Sequence, residues 1–109
     1  MPVTCVRNGK DSLITAEALE KAAECLRTLA HPQRLRLVEL LLHGRYTVGE
    51  LAEACGLTSP VTSGHLRLMQ HCGMLRQERD GRNTYYQIAQ PCLGEFLACV
   101  KRHFDSGKA

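Results

Sequence analysis

Residues 47–75 read TVGELAEACGLTSPVTSGHLRLMQHCGML, and this stretch decides the fold. Thr47 and Glu50 form a T-x-x-E capping box, so a helix starts here. Gly56 ends it after only about eight residues, in the role glycine takes beyond a helix terminus. Thr58 or Ser59 caps the next helix, with Pro60 in its first turn, and Gly73 closes it. Two short helices joined by so tight a turn form a helix-turn-helix, the arrangement by which a small protein lays one helix in the major groove of DNA.

Downstream, Met74–Glu78 and Thr84–Ile88 are short strand-like runs, and Asp80-Gly81 between them is a strong hairpin signal. Pro91 opens a last helix with Leu93, Phe96, Leu97, Val100 and Phe104 on one side. Upstream, Ala18, Leu19, Ala22, Leu26 and Leu29 recur at helical spacing across Thr15–Ala30. His31-Pro32 breaks that pattern, because a residue before proline avoids the helical region. Pro32 then starts a second helix carrying Leu35, Val38, Leu41 and Leu42, with Gly44 as its C-terminal stop. The order is helix, helix, helix-turn-helix, β-hairpin, helix. The expected fold is therefore a mainly α winged helix-turn-helix domain over residues 14–105, preceded by a mobile arm at 1–13.

One domain is the simplest reading of 109 residues, and 44% apolar residues are enough for a core. The net charge of +3 permits nucleic-acid binding without demanding it, so the case rests on local clustering. No apolar run approaches the ~20 residues that span a bilayer, and the first residues lack the apolar core of a signal peptide. A cytoplasmic protein with no membrane partner is expected, with its six cysteines reduced. No Ser-His-Asp set, phosphate-binding glycine loop or H-E-x-x-H motif points to an enzyme.

At about 100° per residue, Thr62, Leu66 and Met69 of the fourth helix share a core-facing stripe. Ser59, Ser63 and Arg67 lie opposite, with Gly64 and Gln70 beside them and Val61 at the edge. Serine hydroxyls suit phosphates or base edges, and an arginine can pair bidentately with guanine. Gly64 allows close approach, and Val61 can touch a thymine methyl. His65 sits towards the inner flank, where helix packing or a phosphate bond suits it better than base reading. Arg76, Arg79 and Arg82 cluster around the hairpin turn. A polar helix stripe alone is usually just solvated, but beside an arginine-tipped hairpin it points to DNA. Two other readings stay open: a winged-helix module for protein assembly, and a nonspecific DNA-bending protein.

The segments HPQRLRLVELLLHG, ELAEACGLTSPVTSGHLRLMQHCGML and RDGRNTYYQI resemble the ArsR/SmtB family of bacterial repressors over roughly residues 20–104. The resemblance implies a homodimer paired through the first and last helices, bound to an inverted-repeat operator and blocking transcription. It also implies release by a metal, a metalloid or an oxidant. The apolar faces of Thr15–Ala30 and Pro91–Phe104 agree with such pairing, which sets two reading helices about 34 Å apart.

Cys92, Cys99 and His103 fall at i, i+7 and i+11 on one stripe of the last helix. Cys99 and His103 are one turn apart, about 6 Å along the axis, whereas Cys92 is about 10 Å away and could meet them only from an antiparallel partner helix. Sulfur with imidazole suits a zinc-like or thiophilic ion or a metalloid as inducer, not as a requirement for DNA binding. The resemblance places the last-helix ligands of zinc-sensing members on Gln90, Cys92, His103 and Ser106, of which only two are good ligands here. Cys99 is an addition, and Asp105 or Glu95 could add an oxygen. The competing reading packs the same three side chains into a dimer seam. Of the other thiols, Cys55 reads as core, Cys72 as a small packing residue, Cys25 as core or interface, and Cys5 as exposed on the arm.

Overall fold

The computed structural model describes residues 13–105. In chain order it contains α1 (Ala16–Leu29), α2 (Pro32–His43), α3 (Val48–Cys55), α4 (Ser59–His71), β1 (Leu75–Asp80), β2 (Asn83–Ile88) and α5 (Cys92–Phe104). This is the expected order, and the hairpin is the wing. The expected arm lies outside the described residues, apart from the exposed Leu13.

Side chains and glycines end the helices largely as expected. Thr47 accepts from the Glu50 amide at 3.1 Å while the Glu50 carboxylate accepts from the Thr47 amide at 2.8 Å, so the capping box is complete. Thr58, rather than Ser59, caps α4 and accepts from the Val61 amide at 3.3 Å. Behind α3, Gly56 is left-handed (φ 68°), its amide donates to Glu53, and the Leu57 amide donates to Ala52. Behind α4, Gly73 repeats the device at φ 85°, with bonds from Gly73 to Gln70 and from Met74 to Met69. Both are Schellman motifs, in which a left-handed residue folds the chain back to satisfy the last carbonyls.

Two local expectations need correction. Gly44 caps α2 in an extended conformation (φ −176°), not a left-handed one. Glycine suits this position because a Cβ would meet the Tyr46 hydroxyl at 3.0 Å and its ring at 3.1 Å. The hairpin turn is centred one residue later than expected. Asp80 pairs with Asn83 across the strands, so the loop is Gly81-Arg82. Gly81 has φ 66°, and no non-glycine residue among those described has a positive φ. Glycine at the first central position is the signature of a type II′ turn, whose twist matches that of the strands.

The core joins Leu29 of α1, Leu37, Val38 and Leu41 of α2, Leu51 of α3, and Leu66 and Met69 of α4. Met74, Leu75 and Tyr86 from the wing and Leu93 of α5 complete it. The buried hydroxyl of Thr62 donates to the Thr58 carbonyl at 2.9 Å, so no polar group on that stripe is left unpaired. The wing is tied to the body by a bridge between Thr47 and Tyr85. Arg45 lies 3.7 Å over the Tyr85 ring and pairs with Asp80 at 3.3 Å and Glu78 at 3.6 Å.

The outer helices are different. Only Leu29 is buried on α1, while Leu19 and Leu26 are more than half exposed. On α5 only Leu93 is buried, and Phe96 and Phe104 are exposed. The centre of the domain depends instead on α2. Leu37 is fully buried, so Leu37→Ala should cost about 2–5 kcal/mol. Urea unfolding should show a lower midpoint at an unchanged m-value.

Candidate nucleic-acid interface

The core holds α4 by Thr62, Leu66 and Met69, all fully buried, and the opposite face is thereby turned outward. Ser59, Val61 and Arg67 are exposed, and Ser63, Gly64 and Gln70 are half-buried. A Cβ at Gly64 would meet nothing within 4 Å, so packing within the chain does not require glycine there.

Ser63 and Arg67 line a concavity with the start of α3 (Thr47, Val48, Gly49) and with Gln77, Arg82, Asn83, Thr84 and Tyr86 of the wing. Strand register explains which wing residues enter it. Gln77 pairs with Tyr86 and Arg79 with Thr84, and alternation along a strand places these pairs on the face that carries Leu75 and Ile88. Arg76 belongs to the other face with Glu78, Asp80, Tyr85 and Gln87, and its guanidinium donates to the Gln87 side chain at 3.1 Å. The three wing arginines are thus divided. Arg79 shares the concave face, Arg82 forms the tip, and Arg76 stands at the back.

The charge of this surface is available. Among the described residues, none of Arg67, Arg79 and Arg82 takes part in an ion pair. The acids nearest the turn are engaged by Arg45, whose own pKa is raised chiefly by its hydrogen bond to Asp80. Arg45 escaped the sequence reading. Its position just after the α2 cap, 35 residues before Asp80, gave no local signal.

His65 is half-buried and turned towards α2. Arg34 Nε donates to His65 Nδ1 at 3.0 Å, and a second Arg34 nitrogen donates to the Thr28 carbonyl at 2.9 Å. The His31 ring lies 4.8 Å from the His65 ring while its Nδ1 accepts from the Gln33 amide. Arg34 therefore fastens the recognition helix to α1 and α2 through a neutral imidazole. Burial, then the Arg34 charge, then His31 push the His65 pKa below its ordinary value.

On α5, Cys92 and Cys99 are exposed, as is His103, on a stripe beside the buried Leu93. Within one chain, among the described residues, no three His, Cys, Asp or Glu side chains gather to hold a metal ion. Cys99 and His103 stand one turn apart on the exposed side of α5, where the His103 ring lies 6.3 Å from that of Phe104. Glu95 and Asp105 are exposed nearby on the same helix and at its end, and Gln90 donates to the Gly73 carbonyl at 3.2 Å. Ser106 and Cys5 lie outside the described residues. Cys25, Cys55 and Cys72 are partly buried against the core, as their sequence contexts suggested.

A domain of this shape, with its reading helix and wing on one concave side, is a winged helix-turn-helix. The family model for bacterial regulatory proteins of the arsR family matches residues 31–77. The chain is 40% identical over 81 residues to the regulator Rv0081 of Mycobacterium tuberculosis, covering 73% of this chain and 71% of that protein. The crystal structure of Rv0081 superposes with a TM-score of 0.71 at 36% identity, over 81% of this chain and 89% of that one. A probable mercury resistance operon repressor of Streptomyces lividans is 33% identical over 94 residues, covering 83% and 75% of the two chains. The transcriptional repressor BigR of Xylella fastidiosa has a TM-score of 0.70 at 29% identity, over 84% and 97%. The chain belongs to the arsR family and is a DNA-binding transcriptional regulator. No helix among the described residues is long and apolar enough to cross a membrane.

The His65 arrangement predicts a pH dependence of stability. An unfolded histidine takes up a proton near pH 6.5, whereas folded His65 does so only at lower pH. Below about pH 6.5 the unfolded chain therefore binds more protons, and stability falls as pH falls. Urea midpoints measured between pH 7.5 and 5 should show this slope, and His65→Gln should flatten it.

Proposed function

We propose that the protein is a homodimeric repressor that binds an inverted-repeat operator through α4 and the wing. The observation that carries this reading is the single concavity holding Ser63, Arg67 and Arg82 together, with the arginine charges free of ion pairs among the described residues. Arg67 reads a base edge, and Ser59 and Ser63 bond phosphates or bases. Val61 meets a thymine methyl, and Gly64 admits the backbone. Gln70 lies at the far end of the reading face. Arg79 and Arg82 grip the backbone beside the site, and Arg76 reaches it only from the outer face of the wing. His65 positions the helix through Arg34, with a phosphate as its only suitable DNA contact.

The dimer is supported by the apolar side chains that α1, the residues just before it and α5 leave in water. Leu13, Ile14, Leu19, Leu26, Phe96 and Phe104 are all exposed, and burying such faces against a second copy is the usual solution to an unpartnered apolar stripe. An antiparallel α5 pair would bring Cys92 of one protomer towards Cys99 and His103 of its partner. This donor set suits a zinc-like or thiophilic ion or a metalloid, and its binding would shift the dimer away from the operator-bound geometry. The name of the mercury resistance operon repressor is in keeping with such an inducer.

Operator binding measured by gel shift across a salt series tests the reading. Arg67→Ala should weaken binding by about 1–3 kcal/mol, roughly 5- to 150-fold, and leave the dimer intact. Affinity for the inverted repeat should greatly exceed that for random DNA. Equal loss of both with salt would indicate a DNA-bending protein, and binding of neither an assembly module.

Gly64→Ala separates structure from function. It should raise stability by up to about 1 kcal/mol, because alanine is the better helix former, and weaken operator binding. Ser at position 92 or 99 (Cys92→Ser, Cys99→Ser) should abolish release by zinc or mercuric ion, and unchanged release would remove the α5 site from the account.

A further inference from the structure

Two thiols outside the α5 stripe meet where α1 crosses the end of the recognition helix. Cys25 lies in the last half of α1, and Cys72 is the C-cap of α4. Cys25 Sγ donates to the Cys72 carbonyl at 3.3 Å, and Cys72 Sγ donates to Thr28 Oγ1, one turn beyond Cys25, at 3.2 Å. Both sulfurs are partly buried and reduced. The remaining described cysteines offer no such partner within a chain. Burial pushes the Cys55 thiol pKa up against the opposing Arg36 charge, and Cys55 makes no sulfur hydrogen bond among the described residues. Cys92 and Cys99 are seven residues apart on one helix, too far for a disulfide.

We propose that Cys25 and Cys72 form a redox-modification site, joined by a hydroperoxide into an intrachain disulfide that locks α1 to the end of α4. The contacts to be given up are two weak sulfur hydrogen bonds. The thiols must turn to bring the sulfurs to about 2.05 Å. Cys72 stands at the end of its helix with the left-handed Gly73 behind it, so its backbone is free of the regular helix on one side. Burial and the neighbouring Cys72 thiol hold the Cys25 pKa above its ordinary value.

The chemistry balances. Written with Cys72 first, its thiolate attacks the terminal peroxide oxygen; an S–O bond forms, the O–O bond breaks, and the departing oxygen takes up the thiol's proton as an alcohol, or as water from hydrogen peroxide, and the same balance holds with the two cysteines exchanged. The Cys25 sulfur then attacks the sulfenic sulfur; the S–S bond forms, the S–O bond breaks, and the hydroxide leaves with the Cys25 proton as water. Two thiols lose two electrons, and one hydroperoxide gains them.

The consequence for DNA rests on the repressor reading above. There, α1 belongs to the dimer interface and α4 to the reading surface, so a bond between them fixes the angle at which each protomer presents α4. The spacing of the two reading helices is what an inverted repeat selects.

The full-length protein, reduced and then treated with hydrogen peroxide, alkylated and digested with trypsin without reduction, tests the site. Peptides 22–27 (AAECLR) and 68–76 (LMQHCGMLR) should appear linked, two hydrogens lighter than their sum, from protein that runs as a single chain on a non-reducing gel. Cys25→Ser and Cys72→Ser should each remove the linked species. Recovery of both peptides separately alkylated, after peroxide has consumed other thiols, would overturn the proposal. In a gel shift, oxidation should change operator affinity at least tenfold, reversibly with dithiothreitol, and not in Cys25→Ser. A linked peptide with unchanged affinity would overturn the regulatory half. Peptide mapping needs no DNA, so its failure and a failure of the repressor reading are told apart.

Discussion

The burial of one stripe of α4 is the constraint on which the rest of the molecule depends. Thr62, Leu66 and Met69 are sealed into a core shared with α2, α3 and the wing. Burying each large apolar side chain contributes about 1.5–3 kcal/mol, enough to fix the rotation of the helix about its axis. Once that rotation is set, Ser59, Ser63 and Arg67 have no direction but outward. A rotation of 100° would bury Arg67 and expose Leu66, at the cost of an unpaired charge as well as a lost anchor. The outward polar face of α4 is thus a by-product of core packing, made rigid by it.

The second layer of organisation is electrostatic. Arg34 and Arg45 are both set in the body. One joins α1, α2 and α4 through Thr28 and His65, and the other lies against Tyr85 and holds the acids of the wing. By engaging Glu78 and Asp80, Arg45 keeps those carboxylates from neutralising the tip. Among the described residues, Arg67, Arg79 and Arg82 are therefore left out of the ion pairs that Arg45 makes. Such exposed pairs contribute little to stability. Their effect is on the orientation of the wing and on the field it projects.

Much of this was legible in the sequence because it is local. The Thr47/Glu50 box, the two glycine stops after α3 and α4, and the apolar period of α4 each act within a few residues, and each stands as read. What was missed depends on contacts distant along the chain. Leu37 escaped the apolar stripe assigned to α2 because it faces the core from an adjacent position. Gly44 looked like an ordinary helix stop, but its need for glycine comes from the Tyr46 ring. The turn slipped by one residue because Asp80-Gly81 and Gly81-Arg82 both satisfy glycine-containing turn patterns, and only strand pairing chooses between them. The division of the wing arginines follows from that same register. The pairing of Cys25 with Cys72, 47 positions apart, had no signal in spacing at all.

The central claim is that the outer face of α4 reads DNA from a twofold-paired scaffold. Selection of bound sequences from a random duplex pool, followed by sequencing, tests it most directly. The account predicts enrichment of an inverted repeat whose half-site centres lie one helical turn apart, about 10 base pairs or a multiple of it. Enrichment of a single asymmetric site, or no enrichment above the starting pool, would contradict it.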